Sequence, residues 1–194
     1  MERKPRFTTE IKGLEKVIQI DRINKVVKGG TSMSFRAFVI TGDFEGNVGF
    51  GLGKSKEVPM AIRKGINNSK KSETKVNVVG DTIPHEVIGQ FGSSRVILKP
   101  AKPGTGVIAG GAVRILLEAA GIKDIVAKSI GNGSPINTTK AAFSGLMQLK
   151  DLKEEEKIRG KKLPVFFHKA EADEKDETPA SKQDDKKKDA SVKA

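Results

Sequence analysis

Three glycine-rich stretches carry residue types that can hold a phosphate: Val48 to Ser55, Gly104 to Gly110 and Gly131 to Pro135. Gly53-Lys54-Ser55 invites comparison with the nucleotide P-loop, G-x-x-x-x-G-K-[ST], whose amides cradle phosphates under a lysine. The first glycine of that motif would fall on Val48, and Pro59 follows close behind, so NTP binding is not the reading taken here. Gly104-x-Gly106-x-x-x-Gly110 runs from a strand toward a helix, with Asp124 about twenty residues downstream, as in a dinucleotide fingerprint. It is one residue longer than G-x-G-x-x-G, and only one further strand is predicted after it, too few for a doubly wound sheet. A small nucleotide- or dinucleotide-binding enzyme using Gly104 to Gly110 is the alternative reading. The favoured one is a loop whose amides meet phosphates or a protein neighbour. Gly131-Asn132-Gly133 leads into Ser134-Pro135, a helix N-terminus that attracts anions through its free N–H groups and dipole. Lys128 and Lys140 flank this loop in sequence, and an ordinary capped loop is an equal reading.

Catalytic constellations find little support. His85 and His168 are far apart in sequence and have no partner at metal-ligand spacing, and Ser93-Ser94 has no identifiable base. With no cysteine, thiolate chemistry, disulfides and zinc–thiolate sites are excluded. No metal or cofactor is expected. No apolar run approaches a membrane span. Met1 to Arg6 is not followed by the apolar core of a secretory signal, so a cytoplasmic protein is expected.

Charge is more informative. The 194 residues carry 36 Lys and Arg against 24 Asp and Glu, a net +12. From His168 to Ala194 there are seven Lys and eight acidic residues, so the rest of the chain carries +13. Such a body suits a polyanion. Tyr and Trp are absent, which argues for recognition of shape and phosphate rather than extensive base stacking.

The elements that must position these groups are readable from periodicity. Residues 1–13 read as a flexible basic arm. Residues 14–73 read as three strands and one covering helix. Val17 to Val27 opens the set, Lys28-Gly29-Gly30-Thr31 turns it, and Met33, Phe35, Ala37 and Val39 alternate along the second strand. The third strand has glycine at 49, 51 and 53, where a side chain would normally pack. Such glycines admit another backbone, here read as RNA approaching a bare strand edge. The helix from about Glu57 to Lys71 buries Val58, Ala61, Ile62 and Ile66 and shows Lys56, Arg63 and Lys70 to solvent, with Lys64 and Lys71 beside them. Phosphate contacts are expected from Arg22, Lys25, Lys28, Lys54, Lys56, Arg63 and Lys64. Close backbone approach is expected at Gly29, Gly30 and Gly49 to Gly53, so that Gly51→Val should hurt binding more than folding.

Residues 74–150 read as a second α/β unit. Strands are expected at Lys75–Val79, Thr82–Ile88, Arg95–Leu98 and Asp124–Ile130. One helix carries Val113, Leu116, Leu117 and Ala120 and is capped by Gly121, and a second carries Phe143, Leu146 and Met147. Residues 151–194 read as a helical extension and a low-complexity tail expected to be disordered. The class is therefore α+β.

Long motifs add a resemblance. Asp21-Arg22-Ile23-Asn24-Lys25-Val26-Val27-Lys28-Gly29-Gly30, Ser34-Phe35, Gly46 to Lys54 and Glu57-Val58-Pro59-x-Ala61-Ile62 resemble the family of bacterial small-subunit ribosomal protein number five. Gly104 to Arg114 and Asn132-Gly133-Ser134-Pro135-Ile136-Asn137 agree, and the likeness runs from about Leu14 to Gln148. It implies a double-stranded-RNA-binding-like first domain and a second domain with a left-handed βαβ crossover, an exception to the usual hand. It also implies contact with small-subunit ribosomal RNA, with neighbouring proteins number four and number eight, and with messenger RNA where it enters the particle, and an influence on decoding accuracy. It implies neither a membrane nor a homo-oligomer. The Lys28-Gly29-Gly30 loop is similar to the one reaching the head–body neck, where a spectinomycin-type drug binds. Gly104, Gly106, Gly110 and Arg114 fall in the region facing protein four. Thr31, Asn47 and Leu52 stand where Arg, Arg and Tyr are common, and Lys140 stands for an Arg, keeping charge without the bidentate fork. The tail after about Lys161 extends past the usual end.

Overall fold

The computed structural model describes residues 13–161; the N-terminal arm and the tail lie outside the described residues. Strands β1 (Leu14–Val27) and β2 (Gly30–Gly42) form one long antiparallel hairpin, paired from Leu14↔Gly42 to Val27↔Gly30 with a slip between Val17 and Gln19. β3 (Asn47–Ser55) pairs with β2 only over Phe35 to Gly42. The hairpin beyond Ser34 therefore pairs only with itself and projects as an arm, exposed from Asn24 to Met33. Helix α1 (Val58–Lys71) covers one face of this sheet, over Ala37 and Val39. β4 is only Thr74–Lys75 and pairs with Val48 and Asn47.

A strand over Lys75–Val79 does not form. Val76 is buried and gives its N–H to Gly46 O at 2.8 Å, and Val79 and Thr82 close a small turn. The strand expected over Thr82–Ile88 starts only at Val87, because Pro84 has no N–H for a ladder and His85 is held elsewhere. The second sheet has the order β5 (Val87–Phe91), β6 (Ser94–Pro100), β8 (Ile125–Gly131), β7 (Val107–Ile108). β7 is parallel to β8 and reaches it through α2 (Gly111–Ala119), while the other pairs are antiparallel. This βαβ unit is too short in β7 to show in a hydropathy pattern. α3 (Pro135–Met147) packs on β5 and β6, and α4 (Leu152–Arg159) follows.

α2 ends in a Schellman motif: Ile122 N–H bonds Leu117 O at 3.1 Å, Gly121 N–H bonds Glu118 O at 3.0 Å, and Gly121 has φ +83°. In α3 the buried face is Thr138, Thr139, Ala141, Ala142, Gly145 and Leu146, whereas Met147, expected inside, is half exposed. Gly145 and Ala141 set that face, because they lie flush against Gly89 of β5 and turn Met147 outward.

The two halves share one core. Ile40 and Val48 of the first sheet join Leu116, Leu117, Ile125, Ala142 and Leu146, and Phe50 meets Phe143 edge-on with ring centroids 5.1 Å apart. The layers run α1, first sheet, α2 with α3, second sheet, making an α+β protein with two sheets and four helices among the described residues. The loop Asp43–Gly46 pins the halves: Phe44, at φ +63°, gives its N–H to Ala119 O at 3.2 Å.

The buried Thr41–Ser69 hydroxyl pair, 2.7 Å apart, ties β2 to α1. Thr41→Val should cost about 1–3 kcal/mol by stranding the Ser69 hydroxyl. Urea midpoints should show most of that loss recovered in the Thr41→Val/Ser69→Ala chain.

Candidate nucleic-acid interface

Geometry reassigns the alternating glycines. A Cβ on Gly53, Gly51 or Gly49 would strike the backbone of Ala61, Gly65 or Ser69 respectively. Those three helix residues are buried and spaced by four. Four helical residues advance roughly 6 Å and two strand residues roughly 6.7 Å, so the two repeats stay in step for three contacts. α1 thus lies directly on β3 with no side chain between them, and the close approach is internal.

The strand edge is not bare either. Ser72 Oγ, Asn68 Nδ2 and Lys64 Nζ reach the carbonyls of Phe50, Leu52 and Lys54 at 2.8, 2.9 and 3.4 Å. Since these carbonyls point outward, the alternate residues Gly49, Gly51 and Gly53 direct their N–H and C=O groups at β2. Amides expected to meet RNA at those glycines are therefore already engaged. Small residues at 61, 65 and 69, matched against glycines at 53, 51 and 49, are the sequence signal for this packing, and neither element shows it alone.

The cations divide into groups. On the α1 side of the sheet lie Arg22, opposite Phe35, and exposed Lys56 and Arg63. Lys54 and Lys25 alternate onto the other side, and Lys28 sits at the arm tip with Gly29 (φ +96°). Arg22, Lys25, Lys28, Lys54, Lys56 and Arg63 make no ion pair among the described residues. Lys70, the third member of the helix stripe, is bound to Glu15 at 2.8 Å. Lys64 is partly spent on the β3 edge. At the tip a Cβ on Gly29 or Gly30 would meet nothing within 4 Å, so an external backbone could come close here.

Beside the arm base, Arg36 grips Asp21 through Nη2 and Nε at 2.7 and 3.2 Å. The Arg36 hydrogen bond, helped by one from Gln19, holds the Asp21 carboxyl below its usual range against the opposing effect of burial. A lowered native pKa gives stability above the unfolded pKa that is lost as pH falls through the native one. Arg36→Gln should therefore raise the Asp21 titration midpoint, read by carboxyl NMR, and flatten the acid limb of stability. Unchanged titration would refute the pairing. Asp43 is also lowered: burial raises it, but hydrogen bonds from the Asn47 side chain and the amides of Glu45 and Asn47 outweigh that. Asn47 thus locks the 43–47 loop.

In the second half the expected sites separate. Lys128 lies on the open face of the second sheet, across from Ile97. Lys140 is on the helix-covered side, its Nζ 4.7 Å from the Phe91 ring centre. Asn132 spends its Oδ1 on Ser134 N–H at 3.0 Å, and Ser134 makes no side-chain cap of its own. In the Gly104–Gly110 loop, Gly104 (φ +87°) and Gly106 (φ +75°) turn the chain, and Gly106 N–H is taken by buried Asp124 Oδ1 at 2.8 Å. The acidic residue that a dinucleotide site would turn to a ribose thus braces its own loop. Arg114 pairs with Glu118 at 2.9 Å. His85 accepts Lys150 N–H at 3.2 Å on Nε2, a structural tie beside β5. Among the described residues no helix is long and apolar enough to cross a membrane.

A basic two-sheet body with a projecting, cation-bearing hairpin is the form of a polyanion binder. Residues 14–77 match the family described as ribosomal protein S5, N-terminal domain, and residues 89–159 match ribosomal protein S5, C-terminal domain. The chain belongs to the ribosomal protein S5 family: it is a structural component of the ribosome in the cytoplasm and not an enzyme. A relative, small ribosomal subunit protein uS5 of Syntrophobacter fumaroxidans (strain DSM 10017 / MPOB), is 50% identical over 156 residues, 80% of this chain and 94% of that protein.

Proposed function

We propose that the chain is a constituent of the small ribosomal subunit that binds its ribosomal RNA through the first sheet, α1 and the projecting arm. It supports subunit assembly and translational accuracy near the path by which messenger RNA enters. What supports this reading most is the arm, a self-paired hairpin carrying Lys25 and Lys28, which make no ion pair among the described residues, beyond the rest of the sheet. Arg22, Lys54, Lys56, Arg63 and Lys64 extend that field over both sides of the sheet, and Asn132 and Lys140, before and within the first half of α3, form a second area of contact apart from Lys128. Gly104 to Arg114 is the side turned toward protein four, and protein eight is the other neighbour.

The test is binding of the full chain to small-subunit ribosomal RNA against unrelated duplex RNA, across a salt series. Binding that survives the competitor supports the reading. Equal loss to any duplex leaves a generic basic module.

A further inference from the structure

The loop between β8 and α3 holds a peptide bond that is open to attack from within the chain. Asn132-Gly133 is the one place in the 194 residues where asparagine precedes glycine. Both residues are exposed, and the Gly133 N–H makes no hydrogen bond among the described residues. Asn132 is held at two points: its carbonyl accepts the buried Ser94 hydroxyl at 2.8 Å, and its Oδ1 accepts Ser134 N–H at 3.0 Å. The second bond keeps the side-chain amide folded toward the Gly133 peptide. It also polarises Cγ, because a donor on Oδ1 stabilises the negative charge that attack at Cγ would place there. Gly133 has no left-handed φ, and a Cβ on it would meet nothing within 4 Å, so the fold does not require glycine here, in contrast to Gly131 at φ +86°. What this glycine supplies is an unshielded amide nitrogen. The other asparagines lack one. Asn24, Asn47 and Asn77 precede Lys25, Val48 and Val78. Asn67, Asn68 and Asn137 lie in helices, where the next N–H is engaged, as Thr138 N–H is with Ser134 O at 2.9 Å.

We infer that Asn132-Gly133 is a self-modification site, at which the asparagine turns into an aspartyl or isoaspartyl residue and sets a carboxylate before α3. Gly133 N gives its proton to water and bonds Asn132 Cγ. The Cγ–Nδ2 bond breaks, Nδ2 takes a proton back from water, and ammonia leaves. Water then opens the cyclic imide at one of its two carbonyls. Opening at Cγ leaves an aspartyl residue. Opening at the main-chain carbonyl routes the backbone through Cβ and leaves the isoaspartyl form. The aspartyl form keeps an oxygen for Ser134 N–H and suits the positive end of the α3 dipole. The isoaspartyl form lengthens the backbone by one atom and displaces the carbonyl that Ser94 holds. Both are ionised at neutral pH. A carboxylate here repels the phosphate that the ribosomal reading brings to Asn132 and Lys140, so this second contact weakens as the chain ages. The weakening rests on that reading; the covalent change does not.

The test ages the full-length chain in warm neutral buffer and maps its peptides by mass. A carboxyl methyltransferase specific for isoaspartyl residues, with labelled S-adenosylmethionine, marks the isoaspartyl form. The expected result is the mass gain of an amide-to-acid exchange at Asn132 ahead of every other asparagine, with part of the product taking the label. Gly133→Ala should keep the urea midpoint, since its Cβ enters open space, and should suppress most of the conversion by shielding the attacking nitrogen. An intact Asn132, a product with no isoaspartyl form, or undiminished conversion in Gly133→Ala overturns the site. Asn132→Asp should keep the urea midpoint and lose several-fold in affinity for small-subunit RNA. Unchanged affinity overturns the weakening. A wild-type chain that binds no small-subunit RNA overturns the ribosomal reading instead, and the mass result still decides the site.

Discussion

Gly51→Val is expected to unfold the first sheet and its helix, not merely to weaken RNA binding. The valine Cβ would meet Gly65 O and the Ser69 backbone, and backbone cannot rotate away as a side chain can. Overpacking of a well-packed site costs about 1–3 kcal/mol when neighbouring side chains can yield, and occasionally more. Here α1 would have to lift off β3 along its length. That lift would also break the Ser72, Asn68 and Lys64 contacts to the β3 edge and the Thr41–Ser69 pair. The loss is then a large share of the roughly 5–15 kcal/mol that holds a domain together. Urea unfolding should show a strongly lowered midpoint for Gly51→Val, and the same for Gly53→Val. A chain that keeps its midpoint but loses RNA affinity would restore the idea of an RNA backbone lying on these glycines.

This reversal shows where the sequence could be read and where it could not. The α1 boundaries, the β1–β2 turn and the strands carrying Phe35 to Val39 and Arg95 to Leu98 follow from local periodicity and turn chemistry, and they form as expected. Glycine at every second position correctly signalled a close backbone. Its owner could not be read from the strand alone, because the match lies between two elements: small residues every fourth position on a helix, and glycines every second on a strand. The strand expected through Val76 fails, and β7 escapes a sequence pattern, for a related reason. Val76 is apolar because it is buried under Gly46, not because it is in a strand, and a two-residue strand leaves no period to detect. Lys128 and Lys140 flank one loop in sequence but lie on opposite faces of a sheet, a separation set by a one-residue alternation.

The complementary prediction concerns the arm and Arg22 at its base. Arg22→Gln/Lys25→Gln/Lys28→Gln should change the unfolding free energy read from urea titration by no more than about 0.5 kcal/mol per substitution, since these side chains are exposed and make no ion pair among the described residues. RNA affinity should respond strongly. Each phosphate contact contributes about 0.9 to the slope of log K against log salt on a duplex, so losing three should flatten the slope by nearly three and weaken binding well over tenfold at moderate salt. Lys56→Gln/Arg63→Gln should flatten it by nearly two. Because the two sets stand on separate elements with no shared partner, their effects should add in the combined chain. An unchanged slope after neutralising the arm would mean that Lys25 and Lys28 reach no phosphate. The RNA would then lie along α1 alone. Together with the glycine variants, this assigns separate tasks to adjoining parts of one hairpin: where β3 and α1 flank it the chain spends its residues on folding, and beyond Ser34 it has only itself to hold and is free to reach a ligand.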